Sequence, residues 1–230
     1  MKRKFVTNLI LVLLLNILVK PFWIFGITRT VQNVVKAEVY GMYFSLFSFA
    51  VLLNILLDFG ITNYNNRNIA RNPEELSSVF SNIVGLKLLL AIVYAVVCLG
   101  VGLLIGYEKE QFRILWLLIL NQFLASLLLY LRSNISGLHY FRTDSLISVM
   151  DRTLVILICG FLLWGNIAQR TFQIEWFILA QTVAYTLTVI TAFSIVLSKS
   201  RYFRLRIDIK KFAVIIKESY PFAILILLMM

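Results

Sequence analysis

The feature that most limits how this chain folds is a set of long apolar runs without a charged side chain. Uncharged stretches cover Val39 to Leu57, Leu88 to Gly106, Ile114 to Leu131, Thr153 to Gln169 and Trp176 to Ser198. Each meets or nearly meets the ~18–20 residues that a helix rising about 1.5 Å per residue needs to cross about 30 Å of hydrocarbon. An amphipathic helix or a sheet strand would interleave polar residues with a period of about 3.6 or 2 instead. A further run from Phe5 to Val19 continues through Lys20 and Pro21 to Thr28, a span interrupted by one charge and one proline. The expected fold class is therefore all-α, a polytopic transmembrane helix bundle.

Six spans are expected over about 5–28, 39–64, 82–106, 112–135, 146–169 and 173–198, forming one lobe, 1–198. Residues 199–212 read as a basic linker, and 213–230 as the start of a seventh helix, because the uncharged run Ser219 to Met230 stops in its middle. The natural protein is expected to be longer. Lys2, Arg3 and Lys4 resemble the start of a signal peptide, but the apolar run goes on into Phe22, Trp23, Ile24 and Phe25 with no small-residue cleavage site. The first helix is read as retained. An even number of spans before the linker starts the seventh helix on the same side as the first, as in transporters built from two parallel lobes.

Composition agrees: 60% of residues are hydrophobic, 14% are charged and the mean hydropathy is +0.88, far from a soluble domain. The bases set the orientation, since Lys and Arg are retained on the cytoplasmic side. Lys2, Arg3, Lys4, Arg67, Arg71, Arg132, Arg142, Lys199, Arg201, Arg204, Arg206, Lys210 and Lys211 fall on one side, and Arg29, Lys36, Lys109, Arg113 and Arg170 on the other, thirteen against five. The N-terminus is expected in the cytoplasm. The net charge of +11 is spread over these loops, which argues against nucleic acid as a partner. The cluster from Lys199 to Lys211 alternates basic with aromatic and apolar residues, which suits a segment in the interface facing anionic membrane lipids.

Cys98 and Cys159 lie in separate spans and His139 is the single histidine, so no metal ligand set, disulfide or cofactor site is expected. No paired carboxylates in an outer loop, HExxH or Gly-rich phosphate cradle is present. The chain does not read as an enzyme.

Charges inside a span cost ~2.5–3.5 kcal/mol at the bilayer centre and mark functional candidates. With helices starting near Asn82 and Leu146, Asp58, Lys87, Asp151 and Arg152 would form one layer near the cytoplasmic mouth, a candidate gate, with an Asp58–Lys87 ion pair within reach. Asp151 and Arg152 point about 100° apart, so each would need a partner on a different helix. Lys87 and Arg152 have a plainer reading, snorkelling to the headgroups. Lys20 lies deeper, about 18 Å into the first helix. It is followed by the helix-distorting Pro21, and Asn16 lies one turn away on the same face. Lys20, Asn16 and Arg29 are candidates for the path of an anionic ligand; a structural Lys20 paired with a carboxylate beyond Met230 is the alternative.

The stretch Leu57-Asp58-Phe59-Gly60-Ile61-Thr62-Asn63-Tyr64-Asn65-Asn66-Arg67-Asn68-Ile69-Ala70 resembles the end of the second helix in bacterial polysaccharide flippases. These belong to the multidrug, oligosaccharidyl-lipid and polysaccharide exporter superfamily. The matching positions are Asp58, Gly60, Arg67 and Ala70. Lys20-Pro21, Ala37 to Tyr43 and Gly137 to Arg152 agree with it. The resemblance implies the N-terminal lobe of a MATE-like two-lobe transporter in the bacterial cytoplasmic (inner) membrane. It implies an undecaprenyl-diphosphate-linked oligosaccharide as substrate, in O-antigen, lipopolysaccharide or other surface polysaccharide biosynthesis. Polymerase and glycosyltransferase machinery would be partners. Three other readings stand beside it: an ion-coupled multidrug or metabolite antiporter of the same superfamily, a flippase for peptidoglycan precursors, and a passive structural membrane protein.

Overall fold

The computed structural model describes residues 16–165, 172–205 and 208–229, and among these every regular element is helical. Helix α1 covers 16–34, α2 Ala37–Leu52 continued by a tighter turn Leu53–Leu57, and α3 Ile61–Arg71. Then follow α4 (Leu76–Ile105), α5 (Lys109–Gly137), α6 (Phe141–Trp164), α7 (Ile174–Lys199) and α8 (Ile209–Met229). Five described helices are long and apolar enough to cross a membrane: α2 with its turn, α4, α5, α6 and α7. The chain is a multi-pass membrane bundle. The basic residues Lys2, Arg3, Lys4, Arg170 and Arg206, and the beginning of the first expected span, lie outside the described residues.

Helix α5 is the spine, with 61% of its apolar window buried against 17–33% for the other four spans. Lipid offers helices no hydrophobic reason to associate, so polar side chains act as the glue, and α5 uses one for each neighbour. Asn121 donates to the Ile178 carbonyl of α7 (3.3 Å), Gln122 accepts from Asn54 of α2 (3.2 Å), and Asn65 of α3 donates to Ser133 (2.8 Å) and Asn134 (3.1 Å). Helix α3 is amphipathic: Ile61, Asn65 and Ile69 are buried one turn apart while Asn63, Arg67 and Ala70 are exposed. Gly137 of α5 admits it closely, since a Cβ there would lie 3.0 Å from Ile69 Cβ.

Two helices start earlier than their hydropathy suggests, at Leu76 and Phe141 rather than near Asn82 and Leu146. The polar first turns of α4 are structural. Ser77 accepts from the Arg201 amide (2.8 Å) and Ser81 from the Arg204 amide (3.2 Å), so they tether the linker after α7. Phe203 of that linker packs on Phe80 and Phe193, and Arg201, Tyr202, Arg204 and Leu205 stay exposed. The seventh helix begins at Ile209, inside the stretch read as linker.

Pro21 does not end α1. It lacks an amide hydrogen and crowds the preceding turn, and the chain after it, Phe22–Thr28, takes a π-helical register. The Arg29 amide bonds the Ile24 carbonyl and the Thr28 hydroxyl donates to Trp23 O (3.1 Å), both five residues back.

Candidate functional site

The second span is interrupted at Asp58-Phe59-Gly60. Phe59 (φ 43°) and Gly60 (φ 76°) both take left-handed backbone conformations, unusual for a bulky residue such as Phe. The interruption exposes the last carbonyls of one helix and the first amides of the next, the negative and positive ends of their dipoles. Two side chains meet these ends with the right signs. Lys87 of α4, 1% exposed, donates to Leu57 O (2.9 Å), Asp58 Oδ1 (2.5 Å) and Ser126 Oγ (2.9 Å). All three protons of its ammonium have an acceptor. The Asp58 carboxylate accepts from the Thr62 amide (3.3 Å) and hydroxyl (2.5 Å) in the first turn of α3. Ser126 also donates to Leu57 O at 3.3 Å. A buried ion pair is tolerated when both partners have such further bonds, and this one knits α2, α3, α4 and α5 together.

The same break receives α8. A Cβ on Gly60 would lie 2.6 Å from the Ala223 nitrogen and 2.7 Å from the Ser219 oxygen, so the backbones of α8 and of the break touch where no side chain fits. Tyr64 donates a hydrogen bond to Glu218 on the same helix.

A separate cavity of about 290 Å³ opens between α1, α2, α6 and α7. Its wall is aromatic: Trp23 stacks on Phe177 (5.7 Å, 13°), and Tyr43 meets Phe177 edge-on (5.8 Å, 75°). Asp151, Arg152 and Gln181 also line it, and Gln181 donates to the Tyr43 hydroxyl (3.4 Å).

The family model for polysaccharide biosynthesis proteins matches residues 5–229, nearly the whole chain. The chain belongs to this family. Its members are polysaccharide flippases or exporters rather than enzymes. No curated protein and no solved structure matches the chain.

Within this polysaccharide biosynthesis chain the four charges expected in one layer divide into two groups. Asp58 and Lys87 form the ion pair in the interrupted helix. Asp151 and Arg152 line the aromatic cavity, which shares no lining residue with the groove beside Asp58. The separation is lateral: Asp151 lies 10 residues beyond Phe141 and Lys87 11 residues beyond Leu76, each about 15–17 Å along its helix, so their depths agree and the helices that carry them face different neighbours. Asp151 and Arg152 also share one cavity, although they point in different directions along the helix surface.

From the first helix, Trp23 and Thr28 reach the cavity, whereas Lys20 and Arg29 are exposed and line neither this cavity nor the groove beside Asp58; Asn16 is half-buried. Of the four motif positions, Asp58 and Gly60 build the break, and Arg67 and Ala70 lie on the exposed face of α3. The residues missed by sequence reasoning are Ser126, which completes the Lys87 site, and the aromatic wall. The helical spacing of Tyr40, Tyr43 and Phe47 is the one signal that points to that wall. Arg132 pairs with Asp144 (2.7 Å), an ion pair that bridges α5 and α6 and is not expected from the sequence.

Proposed function

We propose that this protein carries a lipid-linked oligosaccharide, on an undecaprenyl-diphosphate carrier, from the inner to the outer leaflet of the bacterial cytoplasmic membrane. The family match over 5–229 is the observation that carries this reading. The excess of bases on one set of loops supports an N-terminus in the cytoplasm. The basic side chains of Lys20 and Arg29, exposed on α1, are suited to a diphosphate. The Asp58–Lys87 pair acts as a gate element: it ties the interrupted helix to α4 and α5 while the break touches α8, so motion of α8 is felt at the pair. Membrane lipids, the glycosyltransferases that build the repeat unit and the polymerase that consumes it are the expected partners.

The test uses cells lacking the full-length protein. Lipid-linked repeat units should accumulate on the cytoplasmic leaflet and surface polysaccharide should disappear, and the restored protein should reverse both. Unchanged surface polysaccharide in those cells would overturn the reading.

A further inference from the structure

The lining of the cavity between α1, α2, α6 and α7 mixes two kinds of group. The rings of Trp23, Tyr43 and Phe177 pack on one another, stacked and edge-on. With them stand the polar side chains of Asp151 and Arg152 from α6 and of Gln181, one turn from Phe177 on α7. Neither Asp151 nor Arg152 forms an ion pair with a described residue, although both are half-buried. Charged groups in such a setting gain much from a ligand that supplies hydrogen-bond partners. The volume, about 290 Å³, is at the low end of the ~300–1,000 Å³ typical of small-molecule sites. It suits a single ring rather than a long chain.

We propose that this cavity is a saccharide subsite that takes one pyranose ring of the cargo, a reading that rests on the oligosaccharide function proposed above. A pyranose has an apolar C–H face and a rim of hydroxyls. The C–H face matches the electron-rich aromatic faces, and the hydroxyls match a carboxylate, a guanidinium and an amide, which together accept and donate. The two opposite charges select against other ligands. Asp151 repels a phosphate that Arg152 would attract, Arg152 repels an organic cation that Asp151 and the rings would attract, and an alkyl chain would leave both charges unsatisfied.

Trp23 provides the readout. In full-length protein in lipid nanodiscs, with Trp116, Trp164 and Trp176 replaced by Phe, Trp23 is the sole reporter among the tryptophans of this chain. It is titrated with a hexose, an N-acetylhexosamine and a hexuronate, and with inorganic phosphate as the competing chemistry. At least one sugar should change the emission saturably. Asp151→Asn or Gln181→Ala should weaken that sugar by about ten-fold or more, as expected for losing a hydrogen bond to a charged or buried group, with membrane insertion unchanged. Phosphate should have no effect. No response to any sugar from protein that still flips lipid-linked oligosaccharide would overturn the subsite and leave the flippase reading standing. Saturable sugar binding in protein that flips nothing would overturn the flippase reading and keep the subsite. A phosphate response as strong as that to sugar would overturn the subsite in favour of an anion site.

Discussion

Lys87 Nζ lies 2.5 Å from Asp58 Oδ1, across the point where the second membrane helix is interrupted. The lysine faces the carbonyl end of one half-helix and the aspartate the amide end of the next, so the pair neutralises both its own charges and the exposed dipoles. Removing Asp58 leaves the Lys87 ammonium buried and unpaired, a loss of about 3–5 kcal/mol. Asp58→Lys and Lys87→Asp should each abolish surface polysaccharide, and the double swap should recover a measurable part of it at equal protein level. Absence of any recovery would count against a direct pairing role.

Gly60 is held by two independent constraints. Its left-handed conformation disfavours any Cβ by roughly 1–2 kcal/mol, and the α8 backbone fills the space a Cβ would occupy. Gly60→Ala should lower the melting temperature of the purified protein and reduce export, whereas alanine at Gly100, which has open space around it, should do neither. Equal thermal behaviour of the two variants would contradict the close approach of α8 to the break.

Lys20 is exposed on α1, so its loss removes charge without removing packing. Lys20→Ala should insert at the normal level but export little or no surface polysaccharide. Normal polysaccharide in that variant would remove Lys20 from the substrate path.

Cys98 and Cys159 are both free and fully buried, in different parts of the core. A membrane-impermeant maleimide should label neither in the folded protein and both after denaturation in detergent, read by mass shift. Rapid labelling of either thiol in the native state would show that the core around it is not packed as described.

Much of this fold is legible in the sequence because a membrane helix satisfies its backbone within one segment, so an uncharged run such as Ile114 to Leu131 already identifies α5. The Asp58–Lys87 pair is legible too, since the two charges flank one short connection between consecutive spans. Helix starts are not: Ser77 and Ser81 look like loop residues in a hydropathy reading, yet they extend α4 because they bind the linker amides.

What the sequence by itself determined is the class of the molecule: a multi-pass helical bundle whose charges are few enough to name one by one. The tertiary structure decided where those charges act. It placed a break at Phe59 and Gly60, which apolarity cannot encode because hydropathy carries no information on φ. It separated Asp151 and Arg152 from Asp58 and Lys87, and it gathered Trp23 and Tyr43, from consecutive helices, with Phe177, more than 130 residues further along the chain. The physical reason is locality. A span is stabilised by bonds within its own segment, whereas an ion pair or a cavity depends on which helices pack side by side, and that packing is set by long-range contacts such as those α5 makes through Asn121, Gln122 and Ser126.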